Sequence, residues 1–298
     1  MKKYIYTLFA AAMLCGWQVN AQEVITIEPL FEYPVAPEEL PTLQEKSDYL
    51  VEHFWDGFDF KAQAVDQNAL NDAFRVYIGP IRWATFDKAM KSIDKLIGNY
   101  SKNPTLTLQF AKAAEENLYG PRAEIWIDEV YLKFLNALLS NKKIQANRKK
   151  KYETQLKTIE ASKIGFAAPR FEFIDKEGTT KKYFPMSTPT LIIFGNPYDT
   201  DWRLTRLRME TNLQLTDALE KGKINIIYMV PGIDGDWVKE TSSYPSTWIV
   251  GYSDDVKNVF DLRSTPCVYV IGGDGKIIQK NISLDAAIQT LLSQLSNQ

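Results

Sequence analysis

The sequence predicts an α+β chain of two domains, the first all-helical and the second an α/β sandwich with a mixed sheet. Three observations carry this. Apolar residues recur at helical spacing from Thr42 to about Ser162; after Gly165 the pattern changes to short runs of β-type residues; and a Gly-rich tight turn, Gly272-Gly273-Asp274-Gly275, precedes a last short run. Strands that alternate with helices and then close on a hairpin imply helices layered on a sheet. A chain of 298 residues is long enough for two cores of ordinary size.

The first element is a targeting segment. Met1-Lys2-Lys3 is followed by an apolar stretch from Tyr4 to Trp17 and by Val19-Asn20-Ala21, the order of a secretory signal with cleavage expected after Ala21. The stretch is shorter than the roughly 20 residues that span a bilayer. A lipid anchor at Cys15 is disfavoured because bulky Leu14 stands where processing needs a small residue. The expectation is an exported, periplasmic protein with signal peptide 1–21 and no membrane span after cleavage.

Residues 22–41 read as an extended lead-in, since Pro29, Pro34, Pro37 and Pro41 interrupt any helix. At Thr42 a capping box with Glu45 opens a helix whose stripe includes Tyr49, Leu50 and Phe54. Phe86, Ala89, Ile93, Leu96, Ile97 and Tyr100 form a second stripe, and the segment from Pro104 to Leu118 is rich in Leu and Ala. After Gly120-Pro121 comes another stripe, Ile125, Val130, Phe134, Leu135, Leu138 and Leu139; a basic run from Asn141 to Tyr152 then starts a polar helix that fades near Ser162. That run reads as a solvated helix face or an interdomain connector. Helical domain boundaries are therefore 42–162. Glu115, Glu116, Arg122 and Asp128 are expected near one helix junction, with capping and surface pairing sufficient to explain them.

In the remainder, 163–298, β-type runs lie at Phe171 to Ile174, Thr190 to Phe194, Ile224 to Val230, Pro266 to Ile271 and Lys276 to Ile278. Helical segments are expected after Trp202 and from about Ser283 to Leu295.

Composition excludes several function classes. The formal net charge is -2 and the basic residues are dispersed, which gives no footprint for nucleic acid. If Cys15 leaves with the signal, Cys267 is the lone thiol, so neither an internal disulfide nor a cysteine-based zinc site can form. With His53 the single histidine, a His-rich metal site is excluded as well, and no cofactor or metal is expected.

Particular motifs in the second part carry a family resemblance. Ile164-Gly165-Phe166-Ala167-Ala168-Pro169-Arg170-Phe171, with Asp175 and Gly178 behind it, resembles the opening of the periplasmic thioredoxin-like thiol:disulfide oxidoreductases. Thr265-Pro266 and Gly273-Asp274-Gly275-Lys276-Ile277 resemble that family's cis-proline loop and terminal hairpin. The resemblance covers roughly Ile164 to Leu295 and implies a thioredoxin-like α/β sandwich. It also implies an active site just after a central strand, as Phe-x-x-Pro-x-Cys-x-x-Cys and a basic residue. Here the chain reads Phe194-Gly195-Asn196-Pro197-Tyr198-Asp199-Thr200-Asp201-Trp202-Arg203. Phe194, Pro197 and Arg203 match, but Asp199 and Trp202 occupy the two cysteine positions.

A cysteine at a helix N-terminus is activated by free amides and the helix dipole. A carboxylate at the same place is a good cap, so Asp199 suits the fold while ending thiol exchange. Trp202 cannot resolve a mixed disulfide and is expected as an apolar lid over the site. An Asp199–Asp201 carboxylate pair for acid-base or metal work is the less economical reading, because acidic residues at a helix start are already favoured by capping.

Thr265-Pro266 has two readings. Either the backbone beside the proline offers a hydrogen-bonding edge to an extended substrate segment, as the resemblance implies, or the proline only ends and kinks a strand. Cys267 is expected to be a buried small hydrophobe rather than a reactive thiol. Trp237, Tyr244, Pro245, Trp248 and Tyr252 form a dense aromatic segment, expected to cover the sheet near the site as core or lid packing, or as an open peptide-binding cluster. Phe54-Trp55-Asp56-Gly57-Phe58-Asp59-Phe60, Ala113-Ala114-Glu115-Glu116-Asn117-Leu118-Tyr119-Gly120-Pro121-Arg122 and Lys142-Lys143-Ile144 resemble a helical domain of unassigned chemistry that precedes thioredoxin-like domains in exported bacterial proteins.

The leading expectation is a protein that binds or scaffolds a partner in the cell envelope without redox chemistry, using Thr265, Pro266, Trp202, Trp237 and Trp248 as binding residues. The alternative is a thiol:disulfide oxidoreductase relative in cell redox homeostasis that acts through Cys267 or an external thiol. A third class is purely structural, with the helical half docked onto an envelope complex.

Overall fold

The computed structural model describes residues 29–296 apart from residue 234. The expected signal segment lies outside the described residues.

Among the described residues six α-helices build the first half: α1 (Leu43–His53), α2 (Gln67–Ile78), α3 (Phe86–Tyr100), α4 (Pro104–Leu118), α5 (Asp128–Ser140) and α6 (Ala146–Ala161). Their ends follow local chemistry. Thr42 and Glu45 form the capping box on α1, each side chain taking the other's backbone N–H. Asp66 caps α2 by accepting from Ala69 N at 2.8 Å, and Asn103 caps α4 with Pro104 at the first helical position. Helix α2 was not among the segments singled out from sequence, although Leu70, Ala73, Phe74, Tyr77 and Ile78 are spaced as one buried face. Ile125 falls outside α5, which begins at Asp128.

The stripes meet in one core that includes Trp55, Phe74, Tyr77, Phe110, Phe134 and Leu135. The proline-interrupted lead-in belongs to this core. Phe31 lies 5.6 Å from the Phe54 ring and 5.5 Å from Trp55, and Tyr33 lies 5.0 Å from Phe54. An extended strap thus adds aromatic area to the helical bundle.

The second half is a seven-stranded mixed sheet in the order β2-β1-β5-β4-β3-β6-β7. Its strands are β1 (Phe171–Asp175), β2 (Thr180–Tyr183), β3 (Thr190–Phe194), β4 (Asn225–Val230), β5 (Ile249–Tyr252), β6 (Cys267–Ile271) and β7 (Ile277–Lys280). Strands β3, β4 and β5 run parallel, whereas β6 runs antiparallel to both β3 and β7. β3 and β6 are buried along their full length, so they read as continuous apolar runs rather than alternating ones.

Successive side chains nonetheless divide between two faces. Leu191, Ile193, Ile226, Tyr228, Val268 and Val270 pack on α7 (Thr200–Glu210), α8 (Leu213–Glu220) and α10 (Leu284–Ser296). Ile192, Phe194, Ile227, Met229, Cys267 and Tyr269 face the opposite layer with Phe260 and Val256.

Two strands, β2 and β5, and two short helices, α8 and the one that starts at Trp237, are not predicted by the sequence pattern. β2 is a four-residue edge strand with three exposed positions, two of them the adjacent Lys181 and Lys182, and α8 is only two turns long. The aromatic segment was expected to cover the sheet. Its end, Ile249–Tyr252, is instead a strand of the sheet, inserted between β1 and β4, and a short helix, α9 (Trp237–Glu240), begins it.

The two halves are joined by a buried ionic group. Arg263 lies between Asp261 (2.6 Å) and Asp128 at the start of α5, while Lys280 reaches Asp128 at 2.8 Å and Asp261 at 3.1 Å. Two acids and two bases balance in this group. Its partners account for the side chains, which would otherwise be costly to bury. Burial alone would raise the Asp128 carboxyl, but the Arg263 and Lys280 charges outweigh it and hold it below the usual carboxylate range. The Arg263 guanidinium also lies 4.5 Å over the Tyr119 ring of the helical half. Glu115, Glu116 and Asp128 take separate partners rather than a common polar cluster with Arg122. Glu115 bonds Lys151 and Gln155, Glu116 accepts from Asn71, and Asp128 turns to the other domain.

Candidate functional site

The antiparallel register of β3 and β6 places Phe194 opposite Cys267. The loop after β3 and the loop before β6 therefore meet at one end of the sheet. This pairing brings the Asp199 segment and the Thr265–Pro266 segment together, although 65 positions separate Thr200 from Thr265.

The chain leaves β3 through Gly195. A Cβ there would stand 2.8 Å from the Tyr228 hydroxyl, so the close approach of that ring requires glycine. Asp199 then caps α7, its carboxylate accepting from Asp201 N at 2.8 Å and from Trp202 N at 3.4 Å. Asp201 makes no pair with it; the cap consumes the Asp199 oxygen that faces the helix, and Asp201 is exposed.

Trp202 is 1% exposed. Its ring stacks on Tyr228 at 4.9 Å with an interplanar angle of 16°, and Nε1 donates to the Tyr244 hydroxyl at 2.7 Å. The expected lid is therefore a core residue. The indole projects from the first turn of α7 onto β4, and its polar N–H finds a buried partner from the aromatic segment. Trp248 is also buried, at 7%, and packs edge-on to Tyr244. Neither Trp202 nor Trp248 presents a surface to a partner. Trp237 is half-buried and stacks on Tyr252 at 6.2 Å.

The Thr265–Pro266 peptide bond is cis. Pro266 is half-buried and Thr265 is exposed, and among the described residues neither the N–H nor the C=O of Thr265 enters a hydrogen bond. The neighbouring Ser264 hydroxyl donates to Pro266 O at 2.9 Å and shapes the loop. Beside this edge lies a groove of about 580 Å³. Pro266, Val268, Met209 and Ile288 give it apolar walls; Arg208, Asn212 and Asp285 give it a polar rim; Trp126 closes it from the helical half. Sequence reasoning missed this groove, because its walls come from α7, β6, α10 and a loop of the other domain.

Cys267 faces the opposite layer. It is 1% exposed, its thiol donates to Asn281 Oδ1 at 3.0 Å, and burial, followed by the Asp261 charge, pushes it up to about 12. A thiol so placed carries almost no thiolate at neutral pH. Lys280 lies on the same buried network, a basic neighbour that the linear sequence did not reveal, but its charge is shared between Asp128 and Asp261.

Comparisons with known proteins agree with this architecture. Residues 16–162 match the family model described as a domain of unknown function, DUF5106. A solved thioredoxin-like protein from Bacteroides caccae superposes with a TM-score of 0.72 at 19% identity, over 90% of this chain and 99% of its own. The second half is a thioredoxin-like domain. The helical half and the thioredoxin-like half are thus shared with that structure in fold. A conserved protein of unknown function from Bacteroides fragilis is 22% identical over 44% of this chain and 99% of its own, with a TM-score of 0.41. The thioredoxin domain of a thiol-disulfide oxidoreductase from Bacteroides vulgatus is also 22% identical, over 44% of this chain and 96% of its own, with a TM-score of 0.36. No curated protein matches the chain. Among the described residues no helix is long and apolar enough to cross a membrane.

Within the thioredoxin-like half, Asp199 serves as a helix cap and Trp202 belongs to the core. What stays open to solvent at the site is backbone and groove.

Proposed function

We propose that the chain is an exported, non-redox thioredoxin-like protein that holds an extended segment of a cell-envelope partner along the Thr265–Pro266 edge. The observation that carries this is Thr265: it is exposed, its backbone donor and acceptor are both unused among the described residues, and its chain neighbours Ser264 and Pro266 line the apolar-walled groove. An extended peptide can use such an edge for main-chain hydrogen bonds and adjacent pockets for side chains. Trp126 draws the helical half into the same groove, so the partner touches both domains. Thiol exchange through Cys267 is disfavoured by its burial and raised pKa.

Two measurements test the reading. The mature chain with dithiothreitol and insulin should show no acceleration over the blank. Peptides selected by display against the immobilised chain should shift the Thr265 amide resonance in a nitrogen-15 correlation spectrum. Insulin turnover that disappears in Cys267→Ser would replace this function with the oxidoreductase one, and selected peptides that leave Thr265 unmoved would remove the proposed edge.

A further inference from the structure

A second groove, of about 740 Å³, lies wholly within the helical half, where the end of α2 meets the end of α4 and the loop that follows. Three arginines line it, Arg75, Arg82 and Arg122. Arg82 is held in place by donating to Glu124 O at 2.7 Å. Arg75 has one exposed contact to Asp72 at 3.2 Å, and Arg122 makes no hydrogen bond or ion pair among the described residues. Of the two acidic residues lining the groove, Glu116 is already engaged by Asn71 and by Lys112 at 3.9 Å. The groove therefore sets three guanidiniums against two carboxylates, Glu116 and Glu124, an excess of one positive charge.

Two further features mark it as a recognition surface. Ile78 and Ile125 give it apolar walls, and Trp83, 60% exposed, stands beside them. Asn117 is only 5% exposed. Its amide nitrogen donates to Ala113 O at 2.9 Å, and its oxygen receives no hydrogen bond among the described residues. Asn117 lines the groove. An amide oxygen without a protein donor can accept an N–H from a bound chain.

We propose that this groove binds an acidic, apolar-rich segment of a partner polypeptide, with its carboxylates on Arg122 and Arg75, a backbone N–H on Asn117 Oδ1 and its apolar side chains against Ile78, Ile125 and Trp83. The guanidinium fork suits carboxylates because it donates two parallel hydrogen bonds. This site is separate from the Thr265 edge, and either can stand without the other.

The test uses the full mature chain and a fluorescein-labelled octapeptide alternating Glu and Leu, read by fluorescence anisotropy. Binding should weaken with added salt, and the same peptide with Gln for Glu should bind about tenfold or more weakly. Arg122→Glu combined with Arg75→Glu should weaken binding by about tenfold or more, Arg122→Lys should retain part of it, and Lys102→Glu, an exposed charge that lines neither groove, should leave it unchanged. Arg122→Gln, a change at an exposed side chain, carries the test if the double variant does not fold. The proposal is overturned by absent binding, by equal affinity for the Gln peptide, or by an affinity that ignores Arg122. Tighter binding of a labelled oligouridylate at the same arginines would likewise overturn it, assigning the groove to nucleic acid.

Discussion

Trp202 stacks on Tyr228 at 4.9 Å with an interplanar angle of 16°. The indole fills space between α7 and β4, and its N–H is satisfied by Tyr244. Trp202→Ala should therefore destabilise the fold by about 3 to 5 kcal/mol through the cavity and the lost hydrogen bond. Trp202→Phe should cost less, because it keeps most of the ring. Equilibrium denaturation measures both, and a neutral Trp202→Ala would contradict a structural role.

Asp199 is a cap, so charge should matter less than the acceptor oxygen. Asp199→Asn should be nearly neutral, whereas Asp199→Ala should lose about 0.5 to 2 kcal/mol. An equal loss in both variants would assign Asp199 a role for its charge.

Placing cysteines at both positions, Asp199→Cys with Trp202→Cys, probes the geometry of the loop directly. The two sulfurs would lie one helical turn apart and can close a disulfide. The variant should show fewer free thiols after mild oxidation than after reduction, on a destabilised background because Trp202 is gone. A folded variant that keeps all its thiols free under oxidant would show that the loop does not share the redox family's geometry.

Cys267 should label slowly in the native protein and rapidly in denaturant. Its thiol is pushed up to about 12 in the fold, so the protonated form is the one the fold favours. The resulting stability is fully present below the unfolded thiol value of about 8.5 and is lost as pH rises toward the folded value. Native labelling that is already fast at pH 8 would disprove the burial.

The ionic group between the halves gives an acid-side prediction. Asp128 is held below its ordinary value, so its contribution is present above the unfolded value of about 3.9 and is lost as pH falls through the lower folded value. Asp128→Asn leaves two buried cations facing Asp261 alone and should cost about 3 to 5 kcal/mol. Protease cleavage between the halves should rise in this variant, and unchanged cleavage with unchanged stability would show that the halves are held by other contacts.

The identity of the residues at the helix start was legible in the sequence, since the family resemblance sets Asp199 and Trp202 against that family's two cysteines. The Asp199 cap was legible too: a cap is a contact across three residues, and its preference is a property of the local chain. Helical stripes and apolar runs are likewise local. Even so, α2 went unremarked although its Leu70, Phe74 and Tyr77 spacing is as plain as that of α3.

Long-range pairing decided the rest. Trp202 reads equally well as a lid or as core until Tyr228 and Tyr244 are folded against it, 26 and 42 positions away. Asp128 looks like a helix-start acid until Arg263, 135 positions on, arrives from the other domain. Ile249–Tyr252 is a strand because β1 and β4 leave a place for it, not because its own four residues demand one. Burial and partner choice are properties of where distant segments meet, and hydrophobic periodicity records only that a face is buried, not against what. The sequence by itself therefore determined the local elements and the residues that stand at the start of α7, and the tertiary structure decided which side chains are buried and against what.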